Sequence, residues 1–176
     1  MGNDLLADDA FGLVAAEELK RRFSHLDVVF TTDSGFHLLD HVCDVRLLVV
    51  VDSIQTGQVE PGRLYVSRGA GIRSASGPSP HYVGLFETID LAKQLLHNVP
   101  NDVVILAVEV ADCLTLGGEM DGRVKSAVDV VCSLVAELAG SISAKGEQQD
   151  QVSGDGLSRA IAVVSARWGS ERLVVI

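Results

Sequence analysis

Three observations predict an α/β protein with a mostly parallel central sheet flanked by helices, a three-layer α/β/α architecture. Short β-branched runs alternate along the chain with stretches of helical periodicity, which is the pattern of strands joined by crossover helices. The run VRLLVVVDS (residues 45–53) is continuously apolar until it ends in an acid, as a strand covered on both faces reads. And 47% hydrophobic content in 176 residues suffices for one substantial core.

The elements follow in order. From Ala10 to Phe23 the apolar residues Phe11, Val14, Ala15, Leu19 and Phe23 recur at helical spacing, with Glu17, Glu18, Lys20 and Arg21 opposite; Asp8 or Asp9 is placed to cap this helix. LDVVFTT (residues 26–32) reads as a short strand, residues 35–42 as a short helix, and residues 45–53 as the buried strand. GRLYVS (residues 62–67), after the turn EPG, reads as a hairpin-like edge strand. RGAGIRSASGPSP is too rich in Gly, Ser and Pro for an element and delivers His81. A helix over residues 83–97, the strand DVVILAVEV (residues 102–110) and a helix over residues 122–138 come next. A polar tract over residues 141–156 reads as a linker, followed by a helix over residues 157–168 and the strand-like ending ERLVVI.

Composition removes whole classes of function. A net charge of −10 disfavours DNA and RNA, whose binding depends on Lys and Arg displacing condensed counterions. No apolar run approaches the roughly 20 residues that span a bilayer, and the amino terminus carries acids where a signal peptide has positive charge, so a cytoplasmic protein is expected. Cys43, Cys113 and Cys132 form no C-x-x-C pair and read as thiols without a disulfide framework or zinc knuckle. A dinucleotide-binding domain would need G-x-G-x-x-G after a strand, and GND does not supply it.

Three groups stand at the ends of predicted elements: Asp9 in the opening turn, Asp52 at the end of LLVVVD, and His81 where the Gly/Ser loop meets a helix. Side chains at the carboxyl ends of parallel strands converge on one rim, where ligands bind. Two carboxylates and an imidazole suit a divalent first-row metal with coordination positions left open. Taken singly, Asp9 also suits a helix N-cap, Asp52 a loop cap and His81 an ordinary loop position. His37 and His41 share an i, i+4 spacing but lack the acid of H-E-x-x-H, and read as solvated helix surface.

In order along the chain, GNDLLADDAFG, LLVVVDSIQTGQVEPG and SPHYVGL resemble the hydrogenase maturation protease family over roughly residues 2–139. Its members are endopeptidases that trim the C-terminal extension of nickel–iron hydrogenase large subunits. They carry G-N-x-L-x-x-D-E/D-x-x-G, a V-D-A/S strand end with a P-G turn, and S-x-H or S-P-H leading into G-L. The resemblance implies that Asp9, Asp52 and His81 coordinate metal, the metal being nickel already inserted in the substrate and sensed before the cut. It implies a nickel-sensing, metal-dependent or aspartic-type peptidase with no Ser, Cys or Lys nucleophile. Asn3 and the segment TTDSGFH, with Asp33, Ser34 and Gly35 where the family commonly has D-G-G-T, are implied as substrate contacts. The expected partner is a hydrogenase large-subunit precursor. The alternative, from another class, is a catalytically idle binding protein or assembly chaperone for that precursor.

One departure bears on the fold. The family's opening turn follows an apolar strand, and here none precedes it, while RLVVI at the other end has that composition. The expectation is therefore a circular permutation: a protease-like domain over residues 1–140, a polar bridge over 141–156, and a helix and strand over 157–176. Residues 172–176 would fill the central position beside residues 45–52, in a monomer or in a tail-swapped dimer.

Overall fold

The computed structural model describes residues 7–31, 35–68, 85–95, 98–100, 102–143 and 173–175. The expected helix over residues 157–168 and most of the linker lie outside them. Five strands form one sheet: β1 (Asp27–Val28), β2 (Leu47–Ile54), β3 (Leu64–Arg68), β4 (Asp102–Glu109) and β5 (Leu173–Val175), in the spatial order β1-β5-β2-β4-β3. All neighbours are parallel except β3, which runs antiparallel to β4, so the sheet is mixed with a parallel centre. Among the described residues four helices complete it: α1 (Phe11–Arg22), α2 (Leu39–Val42), α3 (Leu85–Gln94) and α4 (Gly122–Ser143), with a 3-10 turn, Gly35–Leu38, leading into α2.

The two faces of the sheet are written in the alternation of β2 and β4, whose side chains point in turn to opposite sides. Leu47, Val49 and Val51 with Val104, Leu106 and Val108 pack under α1 and α4, against Phe11, Leu19, Val131 and Val135. Leu48 and Val50 with Val103, Ile105 and Ala107 pack under α2 and α3, against Leu38, Val42, Leu85 and Ile89. This is why both strands are apolar without a break: neither has a solvent face. Each of these aliphatic side chains contributes about 1.5–3 kcal/mol when fully buried.

The tail strand β5 lies at the centre of the parallel region. Its residues face β1 on one side, Asp27 opposite Val174 and Val28 opposite Val175. On the other side they face β2, with Leu47, Leu48 and Val49 opposite Leu173, Val174 and Val175. The Val29 N–H extends the first ladder by donating to the Val175 carbonyl at 2.8 Å. Val175 is fully buried in the α1/α4 layer.

Two sequence readings are corrected. β3 is an edge strand, but its partner is β4 and not the strand before it, because β5 and β4 already occupy both edges of β2. The EPG turn instead packs on the start of α4. Gly62 has φ +86°, and a Cβ there would lie 2.5 Å from the Arg123 carbonyl oxygen, so only glycine fits. The helix cap also differs: Ala10 takes the N-cap position of α1 with no side-chain hydrogen bond, and neither Asp8 nor Asp9 caps it. Their carboxylates are engaged elsewhere.

Candidate active site at the carboxyl rim of the sheet

Three loops meet at the carboxyl ends of β2 and β4: the turn before α1, the β2–β3 loop and the β4–α4 loop. Two buried carboxylates hold them together. Asp8, 2% exposed, accepts from the Ala111 and Asp112 N–H groups through Oδ2, at 2.9 and 3.0 Å, and from the Asp121 N–H through Oδ1, at 2.7 Å. The backbone adds Ala7 N–H to Thr115 O and Asp8 N–H to Asp112 O, both 3.3 Å. Glu109, 1% exposed at the end of β4, accepts from the Thr56 and Gly57 N–H groups through Oε1, at 2.8 and 2.7 Å, and from the Thr56 hydroxyl through Oε2 at 2.7 Å. A buried carboxylate is tolerated where donors replace its hydration, and both acids meet that condition.

Smaller links tighten the rim. The Gln55 side-chain amide donates to the Ala111 carbonyl at 2.8 Å, and the Cys113 thiol donates to Gln55 Oε1 at 3.0 Å. Burial pushes the Cys113 thiol upward, with the Asp9 charge next in effect, so it stays a protonated donor at neutral pH. Arg123 bridges Asp121 at the start of α4 and Glu60 in the β2–β3 loop, at 2.8 and 2.9 Å. Its guanidinium holds the Asp121 carboxyl down at about 2.

Against this frame the expected site residues fall into two groups. Asp9, 8% exposed, accepts a 2.5 Å hydrogen bond from the Ser53 hydroxyl, which sets the opening turn on the end of β2 at the residue after Asp52. Asp52 itself is wholly buried at the end of β2. By the alternation of β2 it belongs to the α2/α3 side, whereas Ser53 and Asp9 meet on the α1/α4 side, so the two acids reach the rim from opposite faces of the sheet. His81, Asn3, Asp33 and Ser34 lie outside the described residues, and Gly35 opens the 3-10 turn. Among the described residues no three His, Cys, Asp or Glu side chains stand together as a metal site. His37 is exposed in the 3-10 turn and His41 half-buried in α2. The three cysteines are free thiols, Cys132 buried and the other two half-buried.

The sequence reading missed three residues. Ser53 carried a signal only as the last residue of the V-D-A/S strand end. Glu109 did carry one, as the single acid within the apolar end of DVVILAVEV. Asp8 could not be separated from Asp9 by sequence, because its donors come from residues more than a hundred positions away.

Comparison with known proteins bears on this arrangement. The family model described as hydrogenase maturation protease matches residues 14–138. The hydrogenase expression/formation protein HupD of Bradyrhizobium diazoefficiens is 31% identical over 153 residues, covering 81% of this chain and 79% of its own length. The hydrogenase 2 maturation protease of Escherichia coli is 26% identical, covering 61% of this chain and 68% of its own. Two solved structures share the fold. They are the [NiFe] hydrogenase maturation protease HybD from Thermococcus kodakarensis, with TM-score 0.66, 23% identity and coverage of 78% of this chain and 94% of that one, and the E. coli maturating endopeptidase HybD, with TM-score 0.61, 20% identity and coverage of 80% and 89%.

Proposed function

We propose, from the premise that this chain belongs to the hydrogenase maturation protease family, that it is the endopeptidase that removes the C-terminal extension of a nickel–iron hydrogenase large-subunit precursor after nickel insertion. Asp9, Asp52 and His81 are its reading and cutting residues. The nickel they meet is part of the substrate. The observation that carries this reading is the Ser53–Asp9 hydrogen bond, which sets the first carboxylate beside the strand end that bears the second.

The chemistry follows from the residue types. A nickel ion brought by the precursor would supply Lewis-acid polarisation at the scissile carbonyl or an attacking water. Carboxylate oxygens and an imidazole nitrogen are donors suited to a divalent first-row ion. Ser53 holds one oxygen of Asp9, and in this reading the Asp9 carboxylate takes a proton from water during attack. Asp52 is sealed from solvent, where the precursor's cation would offset the cost of an ionised carboxylate. In this reading Asn3, Asp33, Ser34 and Gly35 contact the precursor.

The wider setting belongs to the same proposal. The chain works in the cytoplasm, a compartment in which its three free thiols stay reduced. No helix among the described residues is long and apolar enough to cross a membrane. Its order of elements is a circular permutation of the family's, with residues 141–156 as the bridge. The place of β5 between β1 and β2 supports this, since β5, α1 and β1 make a β-α-β unit in space whose strand comes last in the chain.

The test is cleavage of a nickel-loaded, unprocessed large subunit, followed by intact mass, with wild type, Asp52→Asn and His81→Ala in parallel. A discrete C-terminal loss with wild type alone is the expected result. Cleavage at the wild-type rate by either variant removes that residue from the site. Stable binding of the precursor without any cut by wild type overturns the protease reading in favour of an idle chaperone.

A further inference from the structure

We infer that Asp8 is the positioning residue of the site: its carboxylate, spent on three backbone N–H groups of the β4–α4 loop, sets where the neighbouring Asp9 carboxylate stands. The inference rests on the reading of Asp9 as a reacting group.

The geometry leaves Asp8 no chemistry of its own and a clear mechanical one. At 2% exposure it takes N–H donors from Ala111, Asp112 and Asp121, at 2.9, 3.0 and 2.7 Å, with both oxygens occupied. The turn that carries it has a further bond at each of two backbone positions, Ala7 N–H to Thr115 O and Asp8 N–H to Asp112 O, while the Phe11 N–H closes the turn onto the Asp8 carbonyl at 3.0 Å. Asp9 is the next residue, and its carboxylate is tied to β2 through Ser53 at 2.5 Å. Asp9 therefore sits between two clamps, one on β2 and one, through Asp8, on the loop that follows β4. The helix it precedes does not help, because the N-cap of α1 is Ala10 with no side-chain bond. Without the Asp8 carboxylate the turn would keep Ser53 on one side and only the two 3.3 Å backbone bonds on the other.

A carboxylate, and not merely a polar side chain of that size, is what the three donors demand. An amide has one oxygen to offer. Placed to keep the Ala111 and Asp112 N–H groups, it would aim its NH2 at the Asp121 N–H, donor against donor; turned over, it would oppose the other two. Either way an N–H group at this sealed junction loses its acceptor, and the turn must back away from the loop to admit water.

The experiment is Asp8→Asn, with two readouts: a crystal structure of the variant, and kcat and KM for cleavage of the nickel-loaded precursor. The expected structure has the Asp9 carboxylate out of hydrogen-bond reach of Ser53. The expected kinetics are a kcat lower by about 10- to 100-fold, the scale of a misplacement near 1 Å, with a smaller change in KM than in kcat, since the precursor keeps its contacts away from Asp9. A purely structural Asp8 would lower the unfolding midpoint and leave kcat per folded molecule unchanged; that result overturns the inference, as does an intact Asp9–Ser53 bond in the variant. Should Asp8→Asn fail to fold, Asp8→Ala, which admits water to the three N–H groups, is carried through the same two readouts with the same expectations. If wild type itself does not cut the precursor, the protease reading fails, and the Asp9–Ser53 geometry alone decides the role of Asp8.

Discussion

Ending the chain after Gly154 removes β5, and the structure sets the size of the effect. Leu47, Leu48 and Val49 of β2, at 2%, 0% and 0% exposure, lose the partners opposite them, and β1 loses its only ladder among the described residues, including the Val29–Val175 bond. About three or four buried backbone groups are orphaned at about 1–3 kcal/mol each. Loss of the buried Val175 side chain adds about 1.5–3 kcal/mol. The total, roughly 5–15 kcal/mol, is comparable to the whole stability of an ordinary domain, about 5–15 kcal/mol. The truncated chain is expected to be largely unfolded by far-UV circular dichroism in buffer, and a peptide spanning residues 171–176 is expected to restore the folded signal in a concentration-dependent way. A midpoint equal to that of the full chain would refute the reasoning, because it would mean that β2 has no need of a neighbour on that edge.

Two further outcomes follow from the rim. Glu109→Gln is expected to cost less than about 1 kcal/mol: its oxygen keeps the Thr56 and Gly57 N–H groups, while its NH2 donates to the Thr56 hydroxyl, whose proton turns to Tyr65 Oη at 3.1 Å. Glu109→Ala strips three donors of their acceptor at about 1–3 kcal/mol each, which urea unfolding of the two variants separates. The second concerns acid. Asp121 is held at about 2 by Arg123, below its value in an unfolded chain near 4, so its ion pair stabilises the fold at neutral pH and that contribution disappears as pH falls from about 4 to about 2. Asp121→Asn is expected to show a shallower dependence of unfolding midpoint on pH across that window than wild type, and an identical slope would exclude the pair as a contributor.

How much of this was legible in the sequence depended on how local the cause was. The strands β2 and β4, read from their apolar runs, and the helices α1, α3 and α4, read from their helical spacing, follow from patterns that a window of ten residues displays, whereas the two faces of β2 and β4 emerge only from what packs on them. The edge position of β3 was legible from its short length and turn, but its partner was not. That partner is decided by which edges of β2 are already taken, a property of the whole sheet. The site divides in the same way. Asp9 stood out through its motif, whereas the separate tasks of Asp8 and Asp9 are fixed by donors from Ala111 to Asp121 and by Ser53, which only the folded chain brings to them. Asp52 was placed at the rim by the end of its apolar run, and its complete burial there is a property of the folded chain.

The place of β5 also sets a timetable. A ribosome delivers α1, β1 and β2 first and the strand that belongs between β1 and β2 last, after β4 and α4. At roughly 5–20 residues per second the nascent chain spends on the order of ten seconds with that slot open. Throughout that interval one edge of β2, apolar on both faces, is a template for any extended segment that reaches it. The later β5 arrives, the longer that edge is open to competing segments.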